Sequence, residues 1–163
     1  ERSQQYLLCT NHSELLTSIN EIRDEAARKW MNEPYERNPY STRPRKYKST
    51  AGTLHSSKSE AMLANLLHTY KLAFKVEAPL TLADGRTIYP DFTIMHPRTG
   101  ELYYWEHFGM MDVLTYRNDA IRRICRYIDT GIILGEHLLI TIETERTPFS
   151  VQTAAELIER TFF

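Results

Sequence analysis

Two short segments rich in β-branched and aromatic residues form the clearest pattern of hydrophobic and polar positions in the chain. They cover residues 88–96 and 101–108, and the turn-forming run Pro97-Arg98-Thr99-Gly100 lies between them. This pattern predicts a β-hairpin. If the four turn residues form the loop, His96 faces Glu101, and the pairing continues residue by residue along both strands.

The predicted register places Asp91 directly opposite Glu106. Cross-strand neighbours have Cβ atoms about 4.5–5.5 Å apart, and like charges in such positions destabilise the pairing. Two facing carboxylates among Tyr and Trp residues therefore suggest a cation between them, and hard oxygen ligands suit Mg²⁺ or Mn²⁺. The alternative is a pair of solvated surface acids in a hairpin of different register, because a slip of one residue sends them to opposite faces.

Helical spacing of apolar residues, at steps of three and four, recurs in four further parts of the chain. Helices are therefore predicted at residues 12–31, 57–71, 112–130 and 151–162. Alternation with a period of two predicts a strand at 74–80, which the turn Asp84-Gly85 connects to the first hairpin strand. The mostly apolar run 137–143 predicts a last strand at an inner position of the sheet.

The predicted helix 112–130 has two contrasting faces, with Asp112 as its N-cap. Its inward face is expected to consist of Leu114, Ile121, Ile124, Cys125 and Ile128. Its outward face carries Arg117, Arg122, Arg123 and Arg126 with Asp119. Such an arginine-rich face is usually solvated, but beside a carboxylate site it could clamp a phosphate backbone.

The first predicted helix carries an apolar stripe that indicates packing. The stripe consists of Leu15, Ile19, Ile22, Ala26 and Trp30. We expect it to lie against the domain or against a partner helix, in a homodimer or on a larger helicase-like protein. Used in that way, it would make the chain a protein-interaction module.

A proline-containing basic arm follows this helix, over residues 33–57. Its basic residues are Arg37, Arg43, Arg45, Lys46 and Lys48, and they alternate with Tyr35, Tyr40 and Tyr47. One interpretation is a solvated linker, because the arm has too few aliphatic residues for a core of its own. The other is an arm that neutralises phosphates and stacks its tyrosines on bases. The candidate DNA-binding residues are accordingly Arg43, Arg45, Lys46, Lys48, Arg117, Arg122 and Arg126.

Length and composition indicate a soluble protein with one core domain. The 163 residues are 42% hydrophobic and 25% charged, which is ordinary for a globular chain. Cys9 and Cys125 are too few for a disulfide framework, and the sequence contains neither a long apolar run nor a signal-peptide pattern. A cytoplasmic location without a membrane partner is therefore expected. The formal net charge of −1 argues against a globally basic nucleic-acid binder.

Glu60 lies in the segment Ser57-Lys58-Ser59-Glu60, which has the S-x-x-E pattern of a helix capping box. In that interpretation its side chain returns to the Ser57 amide and has no other role. Glu60 also borders the apolar stripe of its helix, so it could reach a site at the edge of the sheet. The two roles compete for the same carboxylate oxygens.

Three acids and the order of the predicted elements resemble the PD-(D/E)XK nuclease superfamily. The matching residues are Glu60 in SKSE, Asp91 in YPDFTI and Glu106 in YWEHFG. The runs SKSEAMLANLL, DGRTIYPDFTI and YYWEHFGMMD look like an uncharacterised bacterial group within it. The resemblance covers roughly residues 56–144, and it implies an α/β (α+β) fold with a restriction-endonuclease-like αβββαβ core. That core has a central mixed four-stranded sheet flanked by helices, in a domain 56–163, with an added C-terminal helix. Residues 1–55 form the N-terminal helix and arm.

The resemblance implies a Mg²⁺- or Mn²⁺-dependent DNA nuclease. By that resemblance Asp91 and Glu106 hold the metal, the backbone carbonyl of His107 completes the site, and Glu60 ligates directly or through water. The lysine expected two residues after Glu106 is Phe108 here, and that lysine would orient or deprotonate the attacking water.

Lys58 is the first candidate for a relocated catalytic lysine. The alternative for Lys58 is a surface residue in the first helical turn. His107 is a second candidate, but strand alternation directs its side chain to the face opposite Glu106. A nuclease-like module without catalysis, which binds DNA or a protein, is the alternative function.

Overall fold

A mixed four-stranded sheet lies at the centre of the chain. The structure is a computed structural model that describes the backbone of residues 2–163 and the side chains of residues 13–163. Its helices are α1 (Arg2–Asn32), α2 (Lys58–Thr69), α3 (Leu114–Asp129) and α4 (Val151–Phe162). Its strands are β1 (Tyr47–Lys48), β2 (Leu54–His55), β3 (Ala73–Val76), β4 (Leu80–Thr81), β5 (Thr87–Ile88), β6 (Phe92–Met95), β7 (Leu102–Phe108) and β8 (Leu138–Ile142).

The central sheet has the strand order β3-β6-β7-β8, and β1-β2 and β4-β5 form two small hairpins. Strand β6 is antiparallel to both of its neighbours, β3 and β7, whereas β8 is parallel to β7. The predicted inner position of the last strand is therefore wrong, because β8 is an edge strand. Its apolar run has another cause: Leu138 and Leu139 are buried in different core clusters, so helices cover both faces of this edge.

The predicted hairpin register is confirmed. Phe92 pairs with Trp105 and Met95 with Leu102, and the turn closes with a hydrogen bond from the His96 amide to the Glu101 carbonyl (2.8 Å). Gly100 has φ +73°, a left-handed conformation that glycine adopts readily. One step beyond the Phe92–Trp105 pair, the same register sets Asp91 opposite Glu106.

Two of the predicted strands are interrupted close to Asp91. The predicted strand 74–80 divides into β3 and β4 because Glu77 adopts a left-handed φ of +48°. The predicted strand 88–96 divides into β5 and β6 at Pro90, which lacks the N–H that a ladder requires. A hydrogen bond from the Glu77 amide to the Asp91 carbonyl (3.1 Å) joins the two interruptions. The sheet therefore ends where the candidate acid lies.

Side-chain caps lie at the starts of two helices, one at Ser57 as predicted and one at Ser150. The Ser57 hydroxyl accepts from the Glu60 amide and the Ser150 hydroxyl from the Thr153 amide, each at 3.1 Å. The predicted Asp112 cap is wrong, because α3 follows Val113 without a side-chain cap bond. The Asp112 carboxylate instead accepts a long bond (3.4 Å) from the Glu145 amide.

The core lies in two layers, one on each face of the sheet. Helices α2 and α4 cover one face, where the fully buried side chains are Leu63, Leu67, Phe92, Ile94, Trp105, Ile158 and Phe162. Helix α3 covers the other face, where Leu82, Ile88, Tyr127 and Leu138 form a smaller cluster. The sheet is thus buried on both sides, and its polar site lies at one end of its strands.

The predicted inward face of α3 is wrong. Leu114, Ile121, Cys125 and Ile128 are exposed, and only Ile124 of that set is partly buried. The helix instead buries Ala120 and Tyr127. The cause is the buried Glu106 beneath this helix, which takes its hydrogen-bond donors from α3. Burial of the carboxylate's partners displaces the aliphatic residues to the surface.

Residues 13–32 of helix α1 are mostly exposed to solvent. Of its predicted stripe, Leu15 and Ile22 are 57% and 67% exposed, whereas Trp30 contacts the body through the Lys75 ammonium, 4.7 Å from the ring centre. None of the helices in residues 2–163 is long and apolar enough to cross a membrane. Cys125 is a free thiol, and the side chain of Cys9 lies outside the described residues.

Phe162→Ala is expected to lower the free energy of unfolding by about 3–5 kcal/mol, because a fully buried aromatic side chain leaves a cavity. Its neighbour Phe163 is 61% exposed, so Phe163→Ala should cost only about 0.5 kcal/mol. Chemical denaturation of the two variants measures the difference. Equal losses would contradict the assignment of Phe162 to the core.

Candidate active site

Asp91, immediately before β6, and Glu106, within β7, line the same cavity of about 280 Å³. The cavity is walled by the sheet, by α3 and by the basic arm. Its lining includes Tyr40, Arg43, Tyr89, Asp91, Glu106, Phe108, Tyr116 and Arg123. Carboxylates and guanidinium groups therefore share one opening.

The half-buried Asp91 is fixed by the backbone of the facing strand. Its Oδ2 atom accepts a hydrogen bond of 2.7 Å from the His107 amide. Burial and the nearby carboxylates of Glu106 and Glu60 raise the pKa of Asp91 well above its usual range, and the His107 amide only partly opposes this. The site thus holds a carboxylate whose negative charge is costly without a further positive partner.

Glu106 is almost fully buried, at 2% exposed. Its Oε1 atom accepts hydrogen bonds from the Arg123 guanidinium (2.7 Å) and from the Tyr127 hydroxyl. Burial raises the pKa of Glu106, while Arg123 and Tyr127 act in the opposite direction. These bonds use Oε1 of Glu106 and Oδ2 of Asp91. The other two oxygens, Oε2 and Oδ1, accept no hydrogen bond from the side chains of residues 13–163.

Arg123 was missed as a site residue, since the sequence pattern placed it on the solvent face of α3. Its guanidinium also donates to the Tyr89 carbonyl, and the side chain stays 31% exposed toward the cavity. Burial disfavours its charge, but Glu106 and Asp91 raise the pKa of Arg123 above its usual range. The available signal was the spacing of Tyr116, Ala120, Arg123 and Tyr127, which repeats at helical steps.

Glu60 serves both as a capping residue and as a neighbour of the site. Its Oε2 accepts from the Ser56 amide (3.2 Å), one residue before the Ser57 amide of a standard capping box. Its Oε1 accepts from the Arg43 guanidinium (3.3 Å). Glu60 is buried and does not line the cavity. Arg43, whose side chain is 51% exposed, connects it to the opening.

The His107 side chain lies on the face opposite Glu106, as strand alternation predicted. Its Nδ1 lies 3.0 Å from the Thr141 hydroxyl and its Nε2 3.2 Å from the Glu143 carboxylate. Burial lowers the pKa of His107, although Glu143 opposes this. Its ring also packs edge-on against Phe149, in the segment before α4, while its amide donates to Asp91. The predicted role of its carbonyl remains a prediction.

No lysine lines the cavity in the part of the chain that the structure describes. Lys58 is exposed in the first turn of α2 and is not among the lining residues, whereas Phe108 is buried among them. The guanidinium groups of Arg43 and Arg123 are the basic groups at the opening.

The basic arm is ordered against the end of the sheet. The buried Glu77 carboxylate accepts from Arg37 (2.6 Å) and Arg45 (2.7 Å), and the Tyr35 hydroxyl donates to the Val76 carbonyl (3.0 Å). Arg45 therefore anchors the arm rather than projecting freely. The solvated-linker interpretation does not hold, because these contacts position Arg43 at the cavity.

The remaining predicted DNA-binding residues lie at the surface. Lys46, Lys48, Arg117 and Arg126 are exposed, and Lys46 lies over the Tyr47 ring at 5.4 Å. Arg122 is 68% exposed and pairs with Asp119 (2.6 Å). Their accessibility is compatible with phosphate contacts, and their role stays a prediction.

The donor set at the cavity fits a magnesium-like ion. Among the described side chains, no group of three His, Cys, Asp or Glu residues is arranged as a metal cage. Mg²⁺ commonly uses one or two carboxylates and completes its shell with waters and substrate phosphates. Asp91 Oδ1 and Glu106 Oε2 meet that smaller requirement.

Comparisons with protein-family models, curated proteins and solved structures found no match for the chain. The assignment of function therefore rests on the chemistry of these residues.

Arg123→Gln should lower the free energy of unfolding by about 3 kcal/mol at neutral pH, because it leaves the buried Glu106 without its ion-pair partner. The matched control is Arg122→Gln, which removes only an exposed pair and should cost at most about 0.5 kcal/mol. Urea denaturation of both variants provides the comparison. Similar losses would mean that the Arg123–Glu106 pair does not stabilise the fold.

Asp91→Asn should raise the thermal unfolding midpoint at pH 8. Because folding raises the pKa of Asp91, the native state keeps a proton that the unfolded chain has lost, so wild-type stability falls as the pH rises through this interval. The Asp91→Asn variant does not lose stability in this way. The difference between its unfolding midpoint and that of the wild type should therefore shrink as the pH falls toward the ordinary carboxyl pKa. Calorimetry from pH 4 to pH 8, with the exposed Asp129→Asn as control, tests this. A pH-independent difference would contradict it.

Proposed function

We propose that this chain is a divalent-cation-dependent phosphodiesterase that cleaves DNA, with Asp91 and Glu106 as its cation-binding carboxylates. One observation carries the proposal. The two carboxylates line one cavity, the hairpin register extended by one step sets their residues opposite each other, and each has one oxygen without a side-chain hydrogen bond. Such a pair is unfavourable alone, and a cation between the two groups removes the repulsion.

The order of elements supports the same proposal. Around the central sheet the chain runs α2, β3, β6, β7, α3 and β8. Glu60 lies on the first helix, Asp91 immediately before the second strand and Glu106 on the third. This order agrees with the resemblance to the PD-(D/E)XK superfamily, and the restriction-endonuclease-like core is part of the proposal.

The side chains around Glu106 would prepare the site for its substrate. When bound, a divalent cation polarises the scissile phosphate and lowers the pKa of a coordinated water. Arg123 and Tyr127 hold one oxygen of Glu106 and so restrict the orientation of the other. Because the carboxylate is already positioned, little reorganisation is needed on binding.

Arg43 and Arg123 would bind the non-bridging oxygens of the phosphate. Both line the cavity, and guanidinium groups form charge-assisted hydrogen bonds with phosphate. The contact of Arg43 with Glu60 is long, at 3.3 Å, and its side chain is half-exposed, so a phosphate can compete for it. The two arginines provide positive charge where Phe108 replaces the motif lysine.

Lys58 needs a separate test, because it is exposed and is not among the cavity-lining residues. It keeps its proposed catalytic role only if its side chain reaches the opening when DNA binds. In the cleavage assay described below, loss of activity in Lys58→Ala would retain the role, and full activity would remove it.

The second candidate function is a DNA-binding module of the same fold without catalysis. Phe108 favours it, because this residue lines the cavity where the motif has a lysine. The buried acids also favour it, because each already has an arginine partner. The pairs are Arg123–Glu106, Arg43–Glu60, Arg37–Glu77 and Arg45–Glu77. Such a module would bind DNA without metal, with strong salt dependence and without any need for Asp91.

Asp91→Ala and Glu106→Ala should each abolish both Mn²⁺ binding and Mg²⁺-dependent nicking of plasmid DNA, because each removes one of two cation ligands. Calorimetric titration measures binding, and agarose gels measure nicking. Asp129→Ala, which changes an exposed acid on α3, should retain both. Circular dichroism confirms that each variant is folded.

The two functions give different results in this experiment. Mn²⁺ binding with nicking supports the phosphodiesterase. DNA binding without Mn²⁺ binding and without nicking favours the non-catalytic module. Nicking that survives loss of both carboxylates would contradict the proposed site.

A further inference from the structure

A second cavity, of about 740 Å³, lies at the other end of β6 from Asp91. It is bounded by the C-terminal half of α1, by the end of α2 and by the hairpin turn between β6 and β7. Its volume is within the range of about 300–1,000 Å³ that is typical of small-molecule sites. We call it the α1 groove.

Four basic residues from separate parts of the chain converge on the α1 groove. Arg23 and Arg28 come from α1, Lys71 follows α2, and Arg98 lies in the hairpin turn. None of the four forms an ion pair with a described side chain. Arg98 donates to the backbone oxygen of Phe163 (2.8 Å). With Asp24 as the acid among the described lining residues, the groove has a clear positive excess, which favours an anionic ligand.

The inner surface of the groove is apolar. It is formed mainly by Met31, Leu72, Ala73, Phe74 and Met95. An inorganic anion would leave this surface in water. A ligand with a flat ring and a short chain of phosphates would cover it while its negative groups reach the basic rim.

The backbone at Lys71 closes the end of α2. Lys71 has φ +55°, its amide donates to the His68 carbonyl (3.0 Å), and the Leu72 amide donates to the Leu67 carbonyl (3.1 Å), as in a Schellman motif. This motif fixes the position of Lys71, which lines the groove.

We propose that the α1 groove binds a nucleoside polyphosphate, with its base on the apolar surface and its phosphates against Arg23, Arg28, Lys71 and Arg98. A polyphosphate carries several negative charges on a short chain, and the four basic residues line one cavity. A nucleic-acid strand spreads one charge per nucleotide along its length and matches this cluster less well. The inference does not depend on the proposed nuclease activity.

Fluorescence anisotropy with a fluorescent ATP analogue tests the site on the full chain. Arg28→Gln and Lys71→Asn should each weaken binding about tenfold, the loss expected for one charge-assisted hydrogen bond. Lys29→Gln is the matched control, because Lys29 neighbours Arg28 but does not line the groove. Asn tolerates the left-handed conformation, so Lys71→Asn should not lower the thermal midpoint. Asp91→Ala should bind the analogue like the wild type, which separates this site from the catalytic one.

Competition experiments identify the ligand class. Unlabelled ATP should displace the analogue at a concentration at least tenfold lower than pyrophosphate, because pyrophosphate cannot use the apolar surface. Equal displacement by pyrophosphate, or displacement of the analogue by a single-stranded oligonucleotide at a lower concentration than ATP requires, would overturn the proposal. So would the absence of binding by the wild type, or affinities that Arg28→Gln and Lys71→Asn leave unchanged.

Discussion

The opposition of Asp91 and Glu106 across β6 and β7 is the constraint to which the surrounding structure responds. Two carboxylates at neighbouring positions of a sheet repel, and burial makes their charges more costly. Polar and basic groups from three parts of the chain compensate these negative charges. The His107 amide donates to Asp91, α3 turns its Arg123 and Tyr127 toward Glu106, and the basic arm brings Arg43 to the opening. The interruptions at Pro90 and Glu77 end β3 and β6 at this point, so Asp91 lies just outside the ladder, whereas Glu106 lies within the β7–β8 ladder.

The acid–arginine contacts around this edge differ in how easily a substrate could replace them. Glu77 is held by two short contacts from the arm, and Glu106 by Arg123 and Tyr127 in a buried setting. These pairs stabilise the fold, because separating them would strand a buried charge. The Arg43–Glu60 contact is longer, and its arginine is half-exposed although Glu60 is buried. The site therefore presents to a phosphate two carboxylates held by hydrogen bonds and one arginine, Arg43, that can move. The positive charge of Arg43 can then pair with the negative charge of the substrate.

The sequence was most informative where local chemistry determines geometry. The turn 97–100 sets the hairpin register and hence the Asp91–Glu106 pairing, and Ser57 and Ser150 mark two helix starts. The sequence was least informative where residues far apart in the chain determine the orientation or burial of an element. The orientation of α3 follows from a buried carboxylate on β7, which outweighs the aliphatic stripe, and β8 is apolar because both of its faces are covered. The basic rim of the α1 groove comes from separate segments, so no local pattern indicates it.

The central claim is that Asp91 and Glu106 together hold a divalent cation, and the most direct test is anomalous diffraction from crystals soaked in Mn²⁺. The account predicts one strong peak at about 2.0–2.2 Å from both Asp91 Oδ1 and Glu106 Oε2, and its absence from crystals of the Asp91→Ala variant. A cation bound only at other carboxylates, at Mn²⁺ concentrations that support DNA cleavage, would contradict it.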